Sequence, residues 1–461
     1  MSVPLSEVST PERTRVLCLA RHFPPIGGAG VQRTIGVLRH LRSHGYEPVV
    51  VTGPGSREDR WNPADPELLR TVAADVEVHR LEGPEPPGRS GWKARGARWA
   101  ELPAPWVRWW VDGATRLGEE VAGDAQLILA SLIPYETSRA AATLSRRLGI
   151  PWVADLEDPW AFDEMRVHPT ALHREFDLHR MRRGLASASA IVMNSFEAAD
   201  RVHRRMPQLC DRPVLAIPTG FDPVDFEPGG AEAPAGVDPA AFKIVHTGSM
   251  HTQLGLAHRR SRRARKLLGG TSVDVDILTR SHVNLVQAIE QVLERRPDLR
   301  GRLQLHLAGT FTNADRAIID GRSFITVHGH LSHDSTLALM RAADLLFLPL
   351  YDLPPGQRAG LIPYKTYEYL AARRPVLGAV PDGDARDFLA AFDRASVCRP
   401  SDVTGMAAAI EERVALASAG SRETENDVAA LQRLERGAFM AQLAGVLDGV
   451  LADRVRALAA A

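Results

Sequence analysis

The chain has 461 residues, a length typical of two or three domains, and 44% of them are hydrophobic. Its 56 basic residues balance its 56 acidic ones, which argues against a nucleic-acid-coating protein because such binding draws its affinity from unbalanced positive charge. Three widely spaced cysteines, Cys18, Cys210 and Cys398, predict neither a disulfide framework nor a metal cluster. They favour a reducing, cytoplasmic setting.

The chain shows no targeting or membrane-spanning pattern. Its first residues lack the basic start and apolar core of a signal peptide, and no apolar run reaches the ~20 residues that cross a bilayer. We therefore expect a protein that is soluble or, at most, peripheral to a membrane.

Short apolar runs alternate with helical patterns along the first half of the chain, which is typical of a parallel sheet with helices on both faces. A segment rich in Pro, Gly and Ala at 218–239 indicates a linker, after which the alternation restarts. We predict domains at 1–217 and 240–427, then terminal helices at 428–461. The expected strands are 16–20, 49–52, 76–79, 127–131, 152–156, 191–194, 243–247, 303–308, 325–327, 345–348 and 375–379.

Two segments carry chemistry-bearing residues. Glycines 27, 28 and 30 lie between the first strand and a helix, where backbone N–H groups and the helix dipole bind phosphate, although a plain tight turn is the alternative. The dinucleotide-binding pattern fails there because Arg33 replaces its third glycine, which disfavours a dehydrogenase. In the segment 360–378, Lys365 and Glu368 share a helical face. There the lysine could bind a diphosphate and the glutamate two sugar hydroxyls, or the two could form a surface ion pair.

Six stretches in order resemble the retaining GT-B glycosyltransferases of family 4: HFPPIGGAGVQR (22–33), DLEDPW (155–160), AIVMNSFEAAD (190–200), AIPTGFD (216–222), HTGS (246–249) and IPYKTYEYLAARRPVLG (362–378). The resemblance covers nearly the whole chain. It implies an α/β fold of two Rossmann-like, doubly wound domains facing a cleft. It also implies transfer of a sugar from a nucleotide-diphosphate donor to an acceptor with retention, without metal or cofactor.

The resemblance assigns donor-binding roles residue by residue. Glu368 corresponds to the glutamate that grips the donor ribose, and the backbone from Ile362 to Thr366 would lie near the diphosphate. Gly360 departs from the family, since many members carry a second glutamate at this position. The donor-binding candidates are Gly28, Gly30, Gly248, Arg280, Tyr364, Lys365, Thr366 and Glu368, with Arg263 and Lys266 as alternatives to Arg280.

A second set of candidates concerns catalysis and the acceptor. Many members use a histidine where this chain has Glu157, so an acid replaces it. Asp155, Asp158 and Trp160 flank that position. We expect Asp155 to take part in catalysis and Asp158 and Trp160 to bind the acceptor. The alternative is that the two aspartates cap the next helix. His22 beside the glycines and Lys365 complete the catalytic candidates.

Other features receive a structural interpretation first. We expect Asp274–Asp276 to be a solvated strand face and 382–384 a turn with a helix cap. Trp106–Trp110 indicates helix packing, with a membrane interface or acceptor pocket as the alternative. The basic run 258–266 indicates a mobile loop, or else a site for an anionic membrane or phosphorylated acceptor. No histidine spacing indicates a metal site.

The leading hypothesis is a metal-independent, retaining glycosyltransferase acting on a nucleotide-sugar donor. The acceptor is a small molecule, a lipid-linked sugar or a glycan, and a peripheral membrane contact stays open. Two alternatives keep the fold: a sugar-nucleotide epimerase-type enzyme, and a catalytically silent sugar-nucleotide-binding protein, motivated by Gly360 and Glu157.

Overall fold

In the computed structural model, residues 13–55, 64–227, 232–418 and 425–460 are described. The first sheet has seven parallel strands in the order β3-β2-β1-β4-β5-β6-β7. Its central strands are buried on both faces, which is why they are almost wholly apolar in sequence. The strands are β1 (Thr14–Ala20), β2 (Tyr46–Thr52), β3 (Glu77–Arg80), β4 (Leu127–Ser131), β5 (Trp152–Leu156), β6 (Ala190–Met193) and β7 (Val214–Ala216).

Helices connect these strands and cover the sheet. Apolar side chains at helical spacing, such as Val31, Ile35 and Leu38, face the core. The helices of this half are α1 (Ala29–Leu41), α2 (Gly91–Trp99), α3 (Pro105–Val121), α4 (Thr137–Leu148), α5 (Ala171–Leu185) and α6 (Phe196–Arg205).

The second sheet has six parallel strands in the order β10-β9-β8-β11-β12-β13. They are β8 (Phe242–Thr247), β9 (Leu303–Ala308), β10 (Ile325–Gly329), β11 (Leu345–Pro349), β12 (Val376–Ala379) and β13 (Ala395–Cys398). The helices are α7 (Thr252–Leu267), α8 (Val283–Arg295), α9 (Asn313–Ile319), α10 (His333–Ala342), α11 (Lys365–Ala371), α12 (Asp384–Ala390), α13 (Val403–Ser418), α14 (Glu425–Gln432) and α15 (Arg436–Ala460).

The last helix returns to the first sheet. The hydroxyl of Tyr46 on β2 donates a hydrogen bond to Asp448 of α15. Arg436, the first residue of α15, is buried and donates hydrogen bonds to Asp222 (2.6 Å) and to the hydroxyl of Tyr364 (3.0 Å). The C-terminal helix therefore provides a contact between the two halves in addition to the chain that runs from β7 to β8.

The structure confirms the two doubly wound sheets and every predicted strand, with β7 and β13 in addition. Both are short strands at sheet edges: β7 is an apolar run of only three residues, and β13 includes a serine and is partly exposed at every position, so neither has the length and pattern of a buried strand.

Two sequence interpretations are wrong, and a third is confirmed. The basic run 258–266 is not a loop, because it lies within α7, where Asp274 pairs with Arg262 (2.7 Å) and Lys266 (3.0 Å). Asp274–Asp276 is not a strand, although Asp276 makes one isolated bridge. The Trp106–Trp110 run lies on α3, where Trp110 is buried and donates a hydrogen bond to Thr137 (2.9 Å), as helix packing predicts.

Among the described helices, none combines the length and apolar character that crossing a membrane requires.

Candidate functional site

A cleft of about 550 Å³ lies at the carboxyl ends of strands from both sheets. Ligands of open α/β sheets bind at this edge, because the strand ends and helix N-termini leave backbone groups and loops facing outward. From the first half the cleft is lined by Gly28, Gly30, Glu157, Asp158 and Asp163, and from the second half by His246, Gly248, Arg280, Tyr364, Lys365 and Glu368, among others.

The glycine loop leads into α1 on one wall of the cleft. Gly28 has a φ of 111°, which L side chains rarely adopt, and it immediately precedes the helix. A Cβ atom on Gly30 would lie 2.7 Å from Oε2 of Glu157. Gly30 is therefore required for the close approach of Glu157 to the helix N-terminus.

Three carboxyl groups after β5 form an acidic wall. Burial, reinforced by the nearby charge of Asp155, raises the pKa of Glu157 well above its usual range. Burial also raises the pKa of Asp158, against the opposing charge of Arg280. Burial and the charge of Asp158 raise the pKa of Asp163 to about 7. Burial therefore shifts all three carboxyl groups toward their neutral forms, in which a carboxyl group can donate a hydrogen bond or a proton.

Arg280 faces this wall from the second half. Its side chain lines the cleft, its Nη1 lies 3.4 Å from Sδ of Met165, and no carboxylate of the described residues lies within ion-pair distance of it. Burial lowers its pKa, while the charges of Asp163 and Asp158 oppose this effect. A guanidinium that stays charged without a direct ion pair is suited to an anionic ligand.

Lys365 and Glu368 lie on the first turn of α11, as the spacing predicts. Nζ of Lys365 is 4.0 Å from Oε2 of Glu368, and both side chains line the cleft. Gly248, with a φ of 110°, lies directly beneath the lysine, since a Cβ there would be 2.3 Å from Cε of Lys365. The lysine therefore lies across the backbone that follows β8.

His246, at the end of β8, adds a neutral imidazole to the cleft. Its Nδ1 is 2.9 Å from the carbonyl oxygen of Phe347, so Nδ1 carries the proton and donates it. Burial lowers its pKa to about 3. Its Nε2 is buried and makes no hydrogen bond within the described part of the chain, which leaves an acceptor for a ligand.

Several of the predicted site residues do not line the cleft. Asp155 is buried behind Glu157 and paired with Arg33. Trp160 is buried and stacks on Tyr135 with ring centroids 4.6 Å apart. His22 and Thr366 also do not line the cleft, and Thr366 is fully buried. Arg263 and Lys266 lie on the exposed side of α7, so Arg280 is the member of that group that lines the cleft.

Gly360, where the resemblance expects a glutamate, belongs to a contact between the two halves. Its N–H donates to Oε1 of Glu164 (3.0 Å), and its carbonyl accepts from Oγ of Ser195 (2.6 Å). A Cβ there would lie 3.0 Å from Nη1 of Arg201. A side chain at this position would thus contact Arg201, which forms an ion pair with Glu164.

Sequence reasoning did not single out Asp163 or His246 as individual site residues. His246 closes a buried strand within the HTGS stretch, so its position was a usable signal. Asp163 follows a short 3-10 turn that no periodicity predicts. Within residues 13–55, 64–227, 232–418 and 425–460, no cluster of three His, Cys, Asp or Glu side chains is arranged to hold a metal ion.

Comparisons with known proteins agree with this architecture. Residues 28–220 match the family model described as Glycosyl transferase 4-like domain. No curated protein sequence matches. Sucrose-phosphate synthase from Thermosynechococcus elongatus superposes with a TM-score of 0.62 at 14% identity, over 96% of this chain and 100% of its own.

Two further solved structures share the fold. An E. coli structure described as trehalose-6-phosphate bound with UDP-2-fluoro glucose has a TM-score of 0.57 at 13% identity, over 95% of this chain and 99% of its own. A putative UDP-N-acetylglucosamine 2-epimerase from Listeria monocytogenes has a TM-score of 0.55 at 11% identity, over 96% and 97%. At these identities the likeness shows the fold, which is GT-B.

Proposed function

We propose that this chain is a glycosyltransferase that moves a sugar from a nucleotide-diphosphate donor to an acceptor hydroxyl, with retention and without a metal. Its GT-B fold and the match of residues 28–220 to a glycosyl transferase 4-like domain support this proposal. The observation that carries the proposal is the convergence of Arg280, Lys365 and the glycine loop on one cleft that also contains Glu368. Two cations and a helix N-terminus match the charge of a diphosphate, while Glu368 offers a carboxylate to sugar hydroxyls.

The proposed chemistry follows from where charge develops. As the bond between the sugar and the diphosphate breaks, negative charge grows on the leaving phosphate. Arg280 and Lys365 are fixed cations in a partly buried cleft, so they stabilise this charge without reorganising. Loss of one such group commonly costs a few kcal/mol of transition-state stabilisation, by analogy with the loss of one oxyanion donor.

The acidic wall is assigned to the acceptor side. Glu157 lies against Gly30, and burial shifts it toward its protonated form, in which it would donate a hydrogen bond to an acceptor or sugar oxygen. Asp158 lines the cleft opposite Arg280 and is proposed to bind acceptor hydroxyls. No protein nucleophile is required if the acceptor attacks from the face that the diphosphate leaves.

One observation also supports a second reaction on the same fold. Carboxyl groups with raised pKa values, above all Asp163, are suited to proton transfer with a bound sugar nucleotide, as an epimerase-type enzyme requires. Such an enzyme would convert its donor in the absence of any acceptor.

The test is a thermal-shift panel of UDP-, GDP-, ADP- and dTDP-sugars with their bare nucleotides, because a ligand that binds only the native state raises the Tm by mass action. We expect a selective shift that Glu368→Ala abolishes. The selected donor is then incubated without acceptor: slow hydrolysis supports the transferase, and conversion to another nucleotide sugar supports the epimerase. Absence of any shift would contradict both.

The setting of the reaction completes the proposal. The free thiols Cys18, Cys210 and Cys398 are compatible with a reducing cytoplasm, where nucleotide sugars are available to the enzyme. We propose a small molecule, a lipid-linked sugar or a glycan as the acceptor.

A further inference from the structure

α2 reverses the usual orientation of an amphipathic helix. Trp92 and Trp99 lie seven residues apart and therefore on one face, and they are 74% and 65% exposed. The opposite side carries Ala94 and Ala97, which are the less exposed positions. A helix packed for stability would turn its tryptophans inward, so the outward face needs another partner.

The exposed apolar surface continues onto two neighbouring helices. The ring of Trp99 meets that of His173 on α5 edge-on at 5.1 Å, and Leu172 beside it is 77% exposed. The N–H of Ala171 donates to the carbonyl oxygen of Leu268 (2.8 Å), at the end of α7, where Leu267 is 88% exposed. We call these exposed side chains together the tryptophan face: Trp92, Trp99, Leu172, Phe176, Leu267 and Leu268.

Cations surround the tryptophan face. On α2 these are Lys93, Arg95 and Arg98, and no carboxylate of the described residues pairs with them; Lys93 lies over the ring of Trp92 at 5.8 Å. On α7, Arg260 and Arg263 are likewise exposed and make no ion pair within the described ranges, unlike their neighbours that bind Asp274 and Asp276. The charge is thus positive on both sides of the apolar area.

We propose that the tryptophan face docks on an anionic lipid bilayer. Tryptophan is suited to the membrane interface because its ring is apolar and its N–H is polar, and flanking Lys and Arg bind acidic headgroups. The site differs from the Trp106–Trp110 run, whose packing on α3 gives it a structural role.

The tryptophan face is close to one end of the cleft. Asp163 and Met165 line the cleft, and the same loop continues to Val167, whose carbonyl accepts from Arg265 (3.0 Å), and His168, whose N–H donates to Gly270 (2.9 Å). A docked enzyme would therefore hold the acidic wall near the headgroups. This deepens the proposed function by favouring an acceptor presented at a membrane.

The proposal is tested by sedimentation of the full chain with vesicles of pure phosphatidylcholine or of equal parts phosphatidylcholine and phosphatidylglycerol, without nucleotide sugar. We expect binding to the mixed vesicles only, weakened by high salt. Replacing Lys93, Arg95 and Arg98 by Gln is expected to lower the partition coefficient roughly 100-fold, at about fivefold for each cation. Trp92→Ala with Trp99→Ala is expected to lower it roughly tenfold or more.

Matched controls separate the tryptophan face from general surface effects. Val455→Ala with Leu458→Ala removes two apolar side chains that are 66% and 68% exposed on α15, and it should leave vesicle binding unchanged. Because Trp92 and Trp99 are exposed, the variant that replaces both by Ala should have the same Tm as the wild type. In vesicles with brominated lipids, tryptophan emission should be quenched in the wild type and much less in that variant.

Three outcomes would overturn the proposal: equal binding to neutral vesicles, equal binding by wild type and tryptophan variant, or no vesicle binding. A dimer in sedimentation velocity that Trp99→Ala dissociates, without vesicle binding, would assign the surface to a second copy of the chain instead. Glu368→Ala should bind vesicles like the wild type, so a failure of donor binding is distinguishable from a failure here.

Discussion

Arg33 on α1 and Asp155 on β5 form a buried, two-pronged ion pair. Nη2 of Arg33 is 2.6 Å from Oδ1 of Asp155, and Nε is 2.9 Å from Oδ2. The arginine that breaks the dinucleotide pattern thus has a structural role: it neutralises a carboxylate behind the acidic wall and fixes α1 to the end of β5. It also donates to the carbonyl oxygen of Ile217, directly after β7 (2.9 Å).

Replacing Arg33 should destabilise the fold, because it leaves Asp155 charged, buried and without its partner. We expect Arg33→Met to lower the free energy of unfolding by about 3–5 kcal/mol, measured by urea denaturation. Adding Asp155→Asn should recover part of this loss, since no charge then stays unpaired. Equal stabilities of the single and double variants would contradict the importance of the pair.

Asp163 should make stability depend on pH. Its pKa in the folded protein is about 7, above its ordinary value of 3.8, so folding favours the protonated form. That stabilisation is complete below the ordinary value and is lost as the pH rises through about 7. Asp163→Asn should therefore gain stability relative to wild type as the pH rises from about 4 to about 7, by at most about 1.4 kcal/mol per pH unit. Denaturant titration at each pH measures this.

The control for that experiment is Asp320→Asn, an exposed position without an ion pair among the described residues. Its stability should follow the wild type across the same pH range. If the free energy of unfolding of the wild type and of Asp163→Asn depended on pH in the same way, Asp163 would not be desolvated.

Glu368 and Lys365 should affect different steps. Glu368→Ala is expected to weaken donor binding by roughly ten- to a hundredfold, since a charged hydrogen bond is worth about 1.5–3 kcal/mol. Lys365→Ala should reduce kcat more than KM, because its charge is most useful when the diphosphate leaves. Calorimetric Kd values and steady-state kinetics measure the two effects. An unchanged kcat in Lys365→Ala would make this residue a surface lysine.

Gly248→Ala tests whether the position of the Lys365 side chain matters, without replacing the lysine itself. The new Cβ would lie 2.3 Å from Cε of Lys365, so the side chain must move, and kcat should fall toward that of Lys365→Ala. The positive φ adds strain of about 1–3 kcal/mol. Gly45→Ala is the matched control, because its φ is 83° and nothing lies within 4 Å of the new Cβ. Equal activity of both variants would contradict the contact.

A bulky residue in place of Gly28 tests whether the glycine loop binds a phosphate. Gly28 lines the cleft at the start of α1, so Gly28→Leu should obstruct the phosphate position. Activity should be lost, while circular dichroism still shows a folded protein, although the positive φ lowers its Tm. Full activity would contradict the phosphate-loop hypothesis.

The sequence alone determined the two parallel sheets, the glycine turn that follows β1 and the position of α11. Buried strands such as Leu127–Ser131 and Leu303–Ala308 are continuous apolar runs, and a local pattern of this kind reports burial directly. The spacing of Lys365 and Glu368 likewise fixed their shared helical face.

Only the tertiary structure decided which side chains meet. Asp155, Glu157 and Asp158 are adjacent in sequence, yet the partner on α1, Arg33, buries the first in an ion pair and leaves the other two in the cleft. Trp92 and Trp110 are both tryptophans on helices, yet one is exposed and the other buried. Such outcomes depend on contacts between residues far apart in the chain, which no local spacing encodes.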